Sequence, residues 1–217
     1  NDLTNVKGNL TLDGKINVAL TPGGNFGPGI YRVINYGGTL TNNGLDIGTL
    51  PAGTAPGSIY VQTSVAGQVN LANTSGLTLN YWDAKGDKNN NAVDGGTGSW
   101  QKVGGLDNWA NDTGAVNAPW QDNAFAIFQA TPGTVTVDNS TGQVSAAGMQ
   151  FATDGYIVTG GPLTLGGGTS SIIRVGDGTS AGAGMTATIS AVLQGSTQLD
   201  KTDAGTLVLT GANTYTG

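Results

Sequence analysis

The run Gly205-Thr206-Leu207-Val208-Leu209-Thr210 decides the fold. Its strict alternation puts the two leucines on one face and the threonine and valine on the other, as a strand with one buried side requires. Related phrases recur as Gly8-Asn9-Leu10-Thr11-Leu12, Gly76-Leu77-Thr78-Leu79 and Gly161-Pro162-Leu163-Thr164-Leu165. The copies do not keep a constant spacing. A glycine-initiated strand that returns at uneven intervals fits a solenoid of unequal coils better than a propeller, whose blades hold a steadier period. In a parallel β-helix of this kind, each coil contributes two or three short strands and the leucines of stacked coils form an internal apolar column.

Working outward, further strand-like runs stand at 15–20, 30–36, 58–63, 68–71, 124–129, 134–138, 156–159, 171–175 and 185–193, each bounded nearby by Gly, Asn, Asp or Pro. No stretch of helix length carries a 3.6-residue period. Composition agrees. The chain has 29 threonines and 20 asparagines, suited to pleated strands and to tight turns, but no glutamate and only two methionines. The expected class is all-β, a parallel β-helix with one Trp-containing insertion; a β-sandwich built from the same strands is the alternative.

The insertion is the stretch 83–123, where the strand pattern gives way to Asn, Asp and Gly. Trp100, Trp109 and Trp120 lie inside it and Trp82 at its edge, and these are all four tryptophans of the chain. The resulting division is 1–76 as the end of one β-helical unit, 77–123 as a junction or insertion, and 124–217 as a second unit.

The 217 residues contain no histidine and no cysteine, and all fourteen acidic residues are aspartates. That excludes Ser-His-Asp triads, His-ligated zinc, thiol nucleophiles and disulfides. An acidic net charge of -6 disfavours nucleic-acid binding. No apolar run approaches the roughly 18 residues of a membrane helix. The chain opens without Met or a signal peptide, so it is expected to be part of a longer protein.

Two features of 83–123 bear on binding. Asp87, Asn89 and Asn91 alternate like the start of an EF-hand loop, but Ala92 stands where glycine is needed and Gly98 where a bidentate glutamate is needed. A solvated loop is therefore expected, with no metal and no cofactor. The tryptophans can either plug the end of the apolar column or form a platform for sugars or proteins. The plug is preferred because the chain is otherwise short of aromatics. Trp82 and Trp109 are the expected core members, and Trp120, after Pro119, the expected exposed one. If the region touches a partner, the candidate contacts are Trp100, Trp120, Asp87, Asn89 and Asn91.

The C-terminal stretch from Leu199 to Gly217, above all Gly205-Thr-Leu-Val-Leu-Thr-Gly-Ala-Asn-Thr-Tyr-Thr-Gly217, resembles the autotransporter-associated β-strand repeat of bacterial autotransporter passenger domains. It departs from that repeat at Thr202-Asp203-Ala204, where a glycine-containing step is usual before Gly205. More diffusely, the order Trp82, Trp100, Trp109, Ala124-Phe125, Thr134-Val-Thr-Val137 and Leu163-Thr-Leu165 is similar to the long units of large passengers. The resemblance implies a right-handed parallel β-helix. It also implies export to the bacterial cell surface or outer membrane, or secretion, through the protein's own C-terminal barrel, which lies outside these residues. The implied function is non-enzymatic, a stalk and adhesin. Its partners would be a host extracellular matrix protein, a cell surface or a glycan, and not nucleic acid. The competing function is an extracellular carbohydrate-active β-helix enzyme using Asp residues.

Overall fold

Runs of Thr, Val, Leu and Ile separated by Gly and Asn turns become short strands in the computed structural model, which describes residues 2–102 and 104–217. The chain first makes β1 (Thr4–Val6), β2 (Leu10–Leu12) and β3 (Lys15–Ile16), then returns as β4 (Gly29–Tyr36), β5 (Leu40–Asn42) and β6 (Asp46–Ile47). The second pass lies on the first, strand on strand and parallel, with Thr4 opposite Ile34, Leu10 opposite Leu40 and Lys15 opposite Asp46. Asparagines at the corners tie the two passes together: Asn9 Oδ1 accepts the Thr39 amide at 2.9 Å and Asn17 Oδ1 the Thr49 amide at 2.8 Å. An antiparallel hairpin, β7 (Ile59–Gln62) and β8 (Gln68–Asn73), then closes onto β4, giving the sheet order β1-β4-β8-β7.

The remaining strands fall into three ladders. The chain continues as β9 (Leu79–Trp82), β10 (Gly98–Trp100), β11 (Trp109–Ala110) and β12 (Asn117–Ala118). Three full passes follow: β13 (Phe125–Phe128), β14 (Thr134–Val137) and β15 (Ser145–Ala146); β16 (Gly148–Phe151), β17 (Ile157–Gly160) and β18 (Leu163–Leu165); β19 (Ser170–Val175), β20 (Thr186–Ile189) and β21 (Leu193–Gln194). β22 (Gln198–Thr202) and β23 (Thr206–Leu209) end the set. Parallel pairing builds β9-β13-β16-β19-β22, β10-β14-β17-β20-β23 and β15-β18-β21, so successive passes visit the three sheets in one order. β11 and β12 extend the first of these antiparallel beyond β9. Register confirms the uneven spacing, for Val135 faces Val158 while Ile157 faces Thr188.

The chain is thus all-β; among the described residues the only helix is two short 3-10 turns, Asn139–Thr141 and Ser180–Gly184. The stretch 83–123 differs from the expectation that strands vanish there. It forms β10, β11 and β12, because each finds a rung to pair with rather than because its own residues favour strand. The run 185–193 splits at a corner into β20 and β21.

Alternation sends β13 to two cores. Ala126 and Phe128 point into the space enclosed by the ladders with Val135, Met149, Phe151, Val158, Ile173, Ile189 and Leu193. Phe125 and Ile127 point outward, against Ile30, Val65, Ala72 and Tyr81. A strand buried on both faces reads as an unbroken apolar run, which is what Ala124-Phe-Ala-Ile-Phe128 is. The outward side carries the N-terminal strands β1 to β8. The Gln150 amide accepts from the Ile30 N–H at 2.7 Å and donates to the Ile30 carbonyl at 2.9 Å, Arg174 donates to the Pro28 carbonyl at 3.0 Å, and Arg32 pairs with Asp177 at 3.3 Å.

Candidate functional site

The four tryptophans meet at one end of the inner column. Trp82, Trp100 and Trp109 sit at strand positions of β9, β10 and β11, and Trp120 follows β12. Ring centroids lie 5.0 Å apart for Trp82–Trp109 and Trp100–Trp109, 4.9 Å for Trp100–Trp120 and 4.4 Å for Trp109–Trp120. Phe128 packs beneath them and stacks on Phe151 at 4.9 Å. Mostly edge-on pairs of this kind each contribute about 0.5–1.5 kcal/mol beyond the area they bury.

All four indoles are buried. Trp82 and Trp109 are core members as expected, but Trp120, expected to be exposed, is completely enclosed, as is Trp100. The reason is a partner distant in sequence: the Trp120 Nε1–H donates to the Ser145 carbonyl at 2.9 Å, which draws the ring over the column's end. Trp82 donates to the Gly96 carbonyl at 2.8 Å, while the indole N–H groups of Trp100 and Trp109 have no partner. Rings so placed plug the column, and neither Trp100 nor Trp120 offers its face to a ligand.

The candidate polar contacts lie outside the plug. Asp87, Asn89 and Asn91 are exposed, and Asn89 and Asn91 take left-handed backbone angles, φ 56 and 64°. Asn89 is already engaged: its amide donates to Asn117 Oδ1 and its own Oδ1 accepts the Asn117 amide, both at 2.7 Å. Asn90 donates to Asp94 Oδ2 at 2.9 Å. These bonds fasten the loop to β12 instead of gathering oxygens around an ion, and among the described residues no group of three or more acidic side chains is placed to hold a metal.

Beneath the loop lies Asp83, a fully buried carboxylate that sequence reasoning missed. Its oxygens accept the Asp94 amide at 3.0 Å and the Asn117 Nδ2–H at 2.8 Å, and Lys88 donates to its carbonyl. Burial lowers the Lys88 pKa, opposed by the charges of Asp83, Asp107 and Asp94. The two aspartates that pair with arginine are likewise committed, Asp177 to Arg32 and Thr179, and Asp203 to Arg174. Each of these carboxylates acts as an internal acceptor. Leu106 and Val116, in the same stretch, are exposed apolar side chains.

Comparison with known proteins bears on this geometry. The model of the family described as passenger-associated-transport-repeat matches residues 199–217. In the structure that segment is one rung: β22 and β23, followed by Thr214 and Thr216, whose amides donate to Leu193 and Gly195 at 2.9 and 3.0 Å. Over its whole length the chain is 62% identical to a protein named "Adhesin BmaC autotransporter" from Brucella suis biovar 1 (strain 1330), and spans 6% of that protein's length. No solved structure matches the chain.

Proposed function

Because this chain is a segment of a bacterial autotransporter passenger and carries the passenger transport repeat, we propose that it forms one length of a right-handed parallel β-helical stalk with an adhesive surface, held outside the bacterial cell. The observation that carries the reading is the repeated order in which the chain visits the three parallel ladders. A parallel strand joined to the next by a crossover favours the right-handed path, and antiparallel pairing, which a β-sandwich would use throughout, is confined to the N-terminal sheet and to β9, β11 and β12.

The division into 1–76, 77–123 and 124–217 belongs to the same reading. The first part would end one coil stack, the middle would be the junction whose tryptophans seal the next column, and the last would be that column. Adhesion is supported by the relative's name and by the commitment of Asp83, Asp177 and Asp203 to internal bonds, which takes them away from catalysis. Display would depend on a C-terminal barrel of the longer protein; no helix among the described residues is long and apolar enough to cross a membrane. Partner contact at the junction would run through Asp87, Asn91, Leu106 and Val116 rather than through the indoles.

Beads coated with the chain should attach saturably to host cells or immobilised matrix proteins, and a chain with 85–91 replaced by a Gly-Ser linker should attach less while keeping its β-sheet circular dichroism. Absence of attachment together with turnover of a polysaccharide would replace this reading with the enzymatic one.

A further inference from the structure

Between the N-terminal coils and the outward flank of the β16-β19-β22 ladder lies a cleft of about 660 Å³, within the range of small-ligand sites. Its lining is mixed. Phe26 and Tyr31 form an aromatic pair with centroids 4.8 Å apart, both half-buried. Arg174 lies with its guanidinium 4.2 Å above the Tyr31 ring and pairs with Asp203 at 3.1 Å. Asn17 and Asn25 stand exposed at the mouth.

We propose that this cleft binds a neutral saccharide. A sugar ring presents C–H bonds on its faces and hydroxyls around its rim. The half-buried Phe26 suits the faces, while the exposed side-chain amides of Asn17 and Asn25 at the mouth suit the rim. Charge selects the class. The Arg174 cation is matched by Asp203, and Asp2 adds a further negative group to the lining. A sialic or uronic acid therefore meets no free cation there and is disfavoured against its neutral counterpart. Two bodies meeting at the cleft hold it open without a lid: Gly29, at φ 121°, lets the β4 backbone approach Arg174 and Gln150 more closely than any side chain would permit.

The proposal deepens the adhesive reading and rests on it for its biological use, but its test is separate. The whole chain is titrated with lactose, N,N′-diacetylchitobiose and mannotriose, and with 3′-sialyllactose, by calorimetry and by saturation-transfer NMR. At least one neutral sugar should bind, with affinity lowered about tenfold or more by Phe26→Ala and by Asn25→Ala, and lactose should exceed sialyllactose. Circular dichroism identifies a variant that fails to fold, in which case the other carries the test. Binding of none of the neutral sugars, neutral binding untouched by the folded variants, or tighter binding of sialyllactose than of lactose would each overturn the proposal. A chain that attaches to cells yet ignores these sugars refutes the cleft and spares adhesion; sugar binding without attachment does the reverse.

Discussion

Gln150 holds two bodies together with one amide. Its side chain makes both hydrogen bonds of a strand partner to Ile30 and a third to the Gly176 carbonyl at 2.9 Å. Gln150→Leu would leave three backbone groups bare, and we expect it to cost at least about 2 kcal/mol, read from the urea midpoint. The indoles separate packing from hydrogen bonding. Trp120→Phe removes a donor to Ser145, whereas Trp100→Phe removes an N–H that has no partner. The first should therefore be the more destabilising by about 1 kcal/mol; equal losses would mean that volume alone governs the plug. Tyrosine sets the response to pH. The Tyr60 and Tyr81 hydroxyls lie 2.7 Å apart. Burial pushes Tyr60 up to about 12 and Tyr81 well above its ordinary value. An unfolded tyrosine releases its proton near pH 10 while the folded pair keeps it. This contribution is therefore complete below about pH 10 and is lost as the pH climbs toward 12. With no histidine to titrate near neutrality, the melting temperature should be flat from about pH 6 to 9 and fall beyond about 10, with tyrosinate absorbance rising together with the loss of β-sheet signal.

At the scale of the element, successive passes of the chain are held by their strands and also by their corners. Asn9, Asn17, Asp154 and Asn213 each lend a side-chain oxygen to an amide of an adjacent pass. Asn17 also accepts the Thr49 hydroxyl at 3.1 Å. Asn17→Ala should cost about 1 kcal/mol and speed hydrogen exchange at the Thr49 amide, leaving Thr39, held by Asn9, unchanged. Strands with strong alternation, such as β2, β18 and β23, are legible in the sequence, as is the unbroken apolar β13. The two-residue strands β6, β11, β12 and β15 are not, since Asp46-Ile47 or Asn117-Ala118 pair only because a rung already lies beside them. Nor is the fate of Trp120. Pro119 suggests an exposed turn, and the carbonyl that captures the indole belongs to Ser145, brought near by the stacking of coils. Asp83 is opaque for the same reason, because its partners Asp94 and Asn117 come from separate turns of the junction.

For the molecule as a whole, the parallel ladders add strand upon strand in increments between neighbouring passes, with β1 to β8 packed on the flank. The transport repeat supplies one such increment. Leu199, Leu207, Leu209 and Tyr215 lie against a core in which Ile189 and Leu193 are fully buried, and Asp203 supplies the partner of Arg174. A chain ending at residue 198 would expose Ile189 and Leu193 to water and unpair Arg174, yet β13 to β18 would keep every neighbour they have. Truncation should therefore lower the urea midpoint and the slope of the transition, as less surface remains to be exposed. Hydrogen exchange should accelerate at Ile189, which faces Leu209, while Thr188, bonded to the Tyr156 carbonyl, and Val158 stay protected. Such graded loss would suit a chain that folds coil by coil after crossing a membrane, unhindered by disulfides since it has no cysteine. A truncated chain that lost all structure at once would show the ladders to be a single cooperative unit, and an unchanged midpoint would show that the repeat adds nothing to the rungs before it.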